Sequence, residues 1–314
     1  MNQPTEHTPS VPSRLPNVGT TIFTVMSALA AEHQAVNLGQ GFPDFAGDPA
    51  LPQAVFDAMS QGLNQYPPMA GVPALREAIS TKIERLYGRR YDATTEITVT
   101  AGATQAILTA ILSIVHAGDE VIILEPCYDS YVPNIELAGG VVVRVPLTPG
   151  SFRPDFGLIA QAITPKTRAI IINTPHNPSA TIWREAEMLA LQDLLDGTDI
   201  LVISDEVYEH MVFDGEDHQC VARFAGLAAR GLEGRLCRRA RTLECRVSQG
   251  APIQRLHRQH PGAARLGALH ARPPTLCGLA RVLSTQTRPV CPRPDTDPLR
   301  TLAQRRQLFS MRAL

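Results

Sequence analysis

The stretch Ile200-Leu-Val-Ile-Ser-Asp-Glu-Val-Tyr208 decides how this chain is read, together with Asn173-Thr-Pro-His-Asn-Pro178 upstream of it. Ile200 to Ile203 is a short, continuous apolar run that stops at Ser204 and Asp205. That pattern predicts a parallel strand buried on both faces and ending at the carboxyl edge of a sheet. Open α/β sheets bind ligands at that edge. A carboxylate there, with a phenol three residues on, can hold a protonated ring nitrogen and a ring hydroxyl. Taken alone, the same residues read equally as a helix cap at Asp205 and a packing tyrosine at Tyr208.

The neighbouring segments extend the pattern. From Glu96 onward the order is strand, turn, helix, strand, repeated. Ile97 to Thr100 reads as a strand, Ala101-Gly-Ala-Thr104 as a tight turn, and Gln105 to Val115 as a helix with apolar residues all round it. A small-residue turn opening a helix offers unpaired backbone N–H groups and a positive dipole end, which suits a phosphate, although many such turns hold no ligand. Glu120 to Leu124, Val141 to Val145, Ala169 to Asn173 and Ile200 to Ser204 are the further strands expected, at crossover spacing. This alternation predicts a doubly wound, mostly parallel α/β sheet. Upstream, helices are expected over Leu51 to Ser60 and Pro73 to Leu86, flanking an exposed Tyr66. Asn37-Leu-Gly-Gln-Gly-Phe-Pro-Asp-Phe45 is punctuated by glycines, as a loop would be. Met1 to Pro16 is polar and proline-bearing, with no cationic apolar segment. Neither a signal peptide nor a membrane span is expected, and a cytoplasmic location is.

Six motifs in this order resemble one family. They are Asn37 to Phe45, Asn64-Gln-Tyr66, Thr100-Ala-Gly-Ala-Thr-Gln-Ala106, Glu125-Pro-Cys-Tyr-Asp-Ser-Tyr131, Asn173 to Pro178 and Ser204-Asp-Glu-Val-Tyr208. Together they are similar to the class I aminotransferases of the pyridoxal-phosphate fold type I, in the methionine, glutamine and kynurenine branch. The resemblance implies pyridoxal 5′-phosphate as cofactor, an amino acid and a 2-oxo acid as substrates, and a homodimer in the family. It also implies roles. Asp205 would pair with the pyridinium nitrogen and keep the ring an electron sink. Tyr208 and Asn177 would hydrogen-bond the ring's phenolic oxygen, and Asn177 would help hold the substrate carboxylate. Tyr128 would stack on the ring, where ordinary core packing is the plainer alternative. Gly102, Ala103 and Thr104 would cradle the phosphate, Tyr66 would reach the phosphate of the other subunit, and Gly41 would contact the substrate through its backbone.

The family further requires a lysine roughly thirty residues after that aspartate, whose amine bonds the cofactor and shuttles the substrate proton. This chain has two lysines, Lys82 and Lys166, and none after Lys166. Neither stands at the expected place, so both are expected to be solvated surface charges. No catalytic residue can therefore be named. The carboxylate-binding arginine expected near the family's carboxyl terminus has no counterpart either.

The residues after Ala228 differ in kind from those before. From Ala229 to Leu314 there are seventeen arginines, no lysines, four acids and a single aromatic, Phe309. The formal balance is +13 there and −14 in the rest of the chain, within an overall −1. A tail this poor in apolar periodicity cannot bury a core of its own. A nucleic-acid arm or a zinc site are competing readings. However, no aromatics interleave the arginines for stacking, and Cys237, Cys245, Cys277 and Cys291 lack close paired spacing. Neither nucleic acid nor metal is expected. A third reading is translation out of frame. Permitted codons for Gln249 to Arg265, read one nucleotide later, spell KVHQFNVFTVNTPVQH, text similar to the aminotransferase branch. The same offset from Leu232 to Gln249 gives WKVGCVVAPARWSAEFRK. About fourteen codons, including that of the cofactor-bonding lysine, then appear lost at a frame break near Arg230.

The expectation is an α/β protein of the fold type I class, incomplete, with a non-native carboxyl-terminal tail. Its parts would be an amino-terminal arm and first helix (1–36), an incomplete cofactor domain (37–228) and an out-of-frame basic tail (229–314). The function expected is that of an aminotransferase that is catalytically defective as written. The alternative is a non-catalytic cofactor-binding or interaction protein with a basic tail.

Overall fold

The fold is a computed structural model that describes residues 12–230, apart from 17, 38 and 40–45. Its elements in chain order are α1 (Ile22–Glu32), α2 (Ala50–Ser60), α3 (Pro73–Tyr87), α4 (Gly102–Ile114), β1 (Glu120–Glu125), α5 (Tyr131–Leu137), β2 (Val141–Pro146), α6 (Phe156–Ala162), β3 (Thr167–Asn173), α7 (Glu185–Leu195), β4 (Leu201–Asp205), a 3-10 turn (Val221–Arg223) and α8 (Ala225–Arg230). Local chemistry sets several of these ends. Pro73 opens α3, and Gly88 closes it in the left-handed conformation, at φ 74°. The Asp155 carboxylate accepts from the first-turn amides of Gly157 and Leu158 to start α6.

The four strands are parallel, in the order β2-β1-β3-β4. All four expected there are present, with ends shifted by two residues at most. Their residues alternate between two cores, as the period of two in a strand requires. Val121, Ile123, Ala169, Ile171, Leu201 and Ile203 pack with α4 and α5 on one face. Ile122, Leu124, Ile170, Ile172 and Val202 pack with α6, α7 and α8 on the other. Both faces are covered, which explains the unbroken apolar runs in the sequence. The order reverses between β1 and β3, because the chain leaves β1 outward to β2 and returns to the other side of β1. In such sheets the crevice beyond the strand ends at the reversal is the ligand position.

One expected strand is absent. Ile97 to Thr100 lies in no sheet; the Val99 amide donates to the Ala70 carbonyl at 2.8 Å, and the Ile97 carbonyl accepts from Arg76 Nε at 2.7 Å. A β-branched run becomes a strand only beside a neighbour to pair with, and here its neighbours are the α2–α3 loop and the α3 flank. Contact is close there. A Cβ at Gly71, which has φ 110°, would stand 2.5 Å from Val99 Cγ2. The basic tail, expected from residue 229, lies outside the described residues beyond the end of α8.

Candidate active site

β3 and β4 end side by side, with Asn173 paired to Asp205 in the register. Side chains lock that edge. Asn173 Nδ2 donates to the Asp205 carbonyl at 2.8 Å, and its Oδ1 accepts from the Asn177 amide at 2.7 Å, which sets the course of the Asn173 to Pro178 loop. The loop leaving β1 joins it through His176. The ring of this buried histidine donates to the Pro126 carbonyl, and its Nδ1 lies 2.6 Å from Ser179 Oγ. Burial lowers the His176 pKa to about 4, so the ring is neutral near pH 7.

Asp205 sits at the mouth of this edge, half-buried. Its Oδ2 accepts from the Tyr131 hydroxyl at 2.6 Å and its Oδ1 from the Val207 amide at 3.3 Å. The carboxylate therefore caps a short turn and also faces the crevice. Burial, and then the Asp205 carboxylate, push the Tyr131 phenol far above its ordinary pKa, so it stays a hydrogen-bond donor. Tyr128 packs edge-on against Tyr131, with centroids 5.9 Å apart at 75°. Three residues past Asp205, the Tyr208 oxygen accepts from the Asn177 side chain, and burial followed by Asp205 raises its pKa. Tyr128, Asn177, Asp205 and Tyr208 are each half-buried, so one side of the cluster opens to solvent.

The helix that would serve the phosphate arrives at the same edge. α4 leads into the amino end of β1, so its own amino terminus, Gly102 to Thr104, lies toward the carboxyl ends of the strands. No side chain caps it. Gly102 takes φ 82°, and no heavy atom lies within 4 Å of where its Cβ would be, so nothing crowds the start of the helix there. Tyr66 is different: it is 74% exposed, and no hydrogen bond, ion pair or ring contact joins it to this cluster. Gly41 lies outside the described residues.

The lysines need one correction. Lys82 is not a solvated charge; its ammonium pairs with Glu209 Oε1, with side chains only 12% and 22% exposed. The Tyr87 hydroxyl donates to the other oxygen of Glu209 at 2.7 Å. Burial would raise the Glu209 pKa, but Lys82, its hydrogen bond and Tyr87 outweigh that and hold it below the usual range. Lys166 stands just before β3, where its carbonyl accepts from the Glu120 amide at the start of β1. It belongs to the opposite edge of the sheet. Sequence reasoning also passed over Tyr131, although it lies in a quoted motif one helical turn after Tyr128.

A family model for aminotransferase class I and II matches residues 33–235. Methionine aminotransferase of Escherichia coli (strain K12) is 53% identical over 225 residues, covering 71% of this chain and 58% of that protein. A probable N-succinyldiaminopimelate aminotransferase of Mycobacterium tuberculosis is 48% identical, covering 69% and 55%. Kynurenine–oxoglutarate transaminase 1 of Rattus norvegicus is 35% identical, covering 70% and 55%. Among solved structures, YbdL of Escherichia coli, described as having a methionine aminotransferase function, superposes with a TM-score of 0.80 at 42% identity, covering 90% of this chain and 78% of that one. The chain thus spans less than three fifths of the length of these curated relatives.

Proposed function

The chain belongs to the class I and II aminotransferases, and from that premise we propose that it retains the cofactor pocket of a methionine, glutamine or aromatic amino acid aminotransferase but not its catalytic power. The family implies pyridoxal 5′-phosphate, and the described residues fit it without a covalent bond. The single observation that carries the reading is the meeting of Tyr128, Asn177, Asp205 and Tyr208 at one open strand edge, with the uncapped start of α4 at the same edge.

When bound, the cofactor supplies an electron sink for the carbanion formed at an amino acid's α-carbon. Asp205, held by Tyr131 and Val207, would keep the proton of its ring nitrogen. Asn177 and Tyr208 would hold the ring oxygen, Tyr128 would lie against the ring, and the amides of Gly102, Ala103 and Thr104 would take the phosphate. What no described side chain does is move the α-proton. Lys166 lies at the wrong edge and Lys82 is engaged with Glu209.

The tail supports the same reading. The text recovered one nucleotide out of frame resumes just past the place where the family carries its lysine. Among the described residues β4 is one of the sheet's two edge strands, although its residues Leu201, Val202 and Ile203 are buried. An inner strand following it would have been lost with the missing codons. Resequencing the DNA through the codons of Phe224 to Gly234 tests this, since an unbroken frame bearing a lysine would restore the enzyme.

The activity test uses the full chain, pyridoxal phosphate, methionine or glutamine, and a 2-oxo acid. Amino transfer no faster than with free cofactor is expected. Turnover well above that rate, abolished by Asp205→Ala, would overturn the proposal.

A further inference from the structure

Three potential metal ligands lie together, Glu206 just past the end of β4 and His218 and Cys220 in the loop before the 3-10 turn. Potential ligand atoms of Glu206, His218 and Cys220 all fall within 4.8 Å of one another. We propose that these three residues form a binding site for one zinc-class divalent cation, which pins the segment before α8 to the end of β4.

The donor set suits that class of ion. A thiolate, an imidazole and a carboxylate are the ligand types of zinc, with bonds of roughly 2.0 to 2.3 Å, so ligand atoms in a tetrahedral site stand roughly 3.3 to 3.8 Å apart. His218 Nε2 and Glu206 Oε2 are 2.9 Å apart, and the wider span to sulfur closes by about an ångström or less. The side chains are already held. Glu206 Oε1 accepts from Ser204 Oγ at 2.7 Å and from the Val221 amide at 3.0 Å, while Oε2 meets His218 Nε2, a contact that the cation would replace by sitting between the two atoms. Cys220 Sγ accepts from the Ala222 amide at 3.4 Å.

Glu206 makes no ion pair with a lysine or arginine among the described residues; the group that can carry positive charge beside it is His218, which is only 7% exposed. A mostly buried carboxylate with no fixed positive charge gains from a divalent cation beside it. Around the cluster, Tyr87 closes one side, its ring edge-on to His218 at 6.0 Å. Glu206, with its side chain 15% exposed, leaves a narrow opening for a water in the fourth position.

The cation takes sulfur as thiolate, so the thiol proton of Cys220 passes to the buffer as the ion binds.

The site stands apart from amino transfer, and its test involves no cofactor. Cobalt(II) is titrated into the full chain with Cys237, Cys245, Cys277 and Cys291 replaced by serine, so that among the thiols only Cys127 and Cys220 remain. The expected result is one equivalent bound, with a near-ultraviolet thiolate-to-cobalt band and four-coordinate visible bands, all displaced by zinc. Cys220→Ser should abolish the ultraviolet band with the far-ultraviolet dichroism unchanged, and His218→Gln should weaken binding at least tenfold. In the parent, zinc should also protect Cys220, and not Cys127, from alkylation mapped by mass spectrometry. No ultraviolet band in the parent, a band that persists in Cys220→Ser, or protection at Cys127 would each overturn the proposal.

Discussion

Tyr131 shows what one residue contributes here. It is 2% exposed, and its hydroxyl donates to Asp205 Oδ2 at 2.6 Å, so it fixes the carboxylate that would face the cofactor. Hydrogen bonds to charged groups contribute about 1.5 to 3 kcal/mol. Tyr131→Phe keeps the ring and removes that bond, and chemical denaturation should show a loss of about 2 kcal/mol; unchanged stability would mean that the bond is not made. His176 gives a pH test. Its folded pKa is lowered from 6.5 to about 4 by burial, so the unfolded chain binds the extra proton first as the solution is acidified. The neutral ring's contribution is complete above about pH 6.5 and is lost as pH falls toward 4, a change on the order of 3 kcal/mol. Stability measured across that window should flatten in His176→Gln, and an unaltered slope would contradict the assignment. Asp205, Tyr208, Asn177 and Tyr128 were legible because each sits in a motif at a strand end. The role of Tyr131 was not, because a bond to a residue 74 positions away depends on where α5 lands.

Among the elements, the strands of the sheet read clearly from sequence, since burial on both faces leaves unbroken apolar runs such as Ile170 to Ile172 and Leu201 to Ile203. Ile97 to Thr100 is also β-branched, yet a strand needs a neighbour to pair with, and no local pattern says whether one lies beside it. The docking of α3 was equally hidden. Lys82 and Tyr87 converge on Glu209, one residue after Tyr208, so α3 braces the turn that carries a site phenol. An exposed ion pair would couple by about 1 kcal/mol at most, whereas removing one partner of a buried pair costs about 3 to 5 kcal/mol. Since both side chains are mostly buried, a double-mutant cycle of Lys82→Met and Glu209→Gln should give a coupling above about 1 kcal/mol. A coupling near zero would return Lys82 to the surface role its sequence context suggested.

At the scale of the whole molecule, the sequence holds two statements that conflict. Six ordered motifs and a family match over residues 33–235 describe a cofactor-binding sheet. The chain has no lysine after Lys166, and the proposal is that it thereby lacks the residue that bonds the cofactor in this family. The account joins them as a pocket without its covalent anchor. That predicts an order of preference among ligands. In the proposed pocket, charge-assisted hydrogen bonds to the phosphate would be worth about 1.5 to 3 kcal/mol each at the start of α4, while no lysine among the described residues stands at this edge to bond the aldehyde. Pyridoxamine 5′-phosphate, which needs no lysine, should therefore bind at least as well as pyridoxal 5′-phosphate, both at micromolar affinity or weaker. The measurement that bears most directly on this is a fluorescence titration of the full chain with the two forms, repeated on Asp205→Ala. The account predicts weak binding that favours the amine form and is lost in the variant. Equal affinity in Asp205→Ala, or a marked preference for the aldehyde, would contradict it.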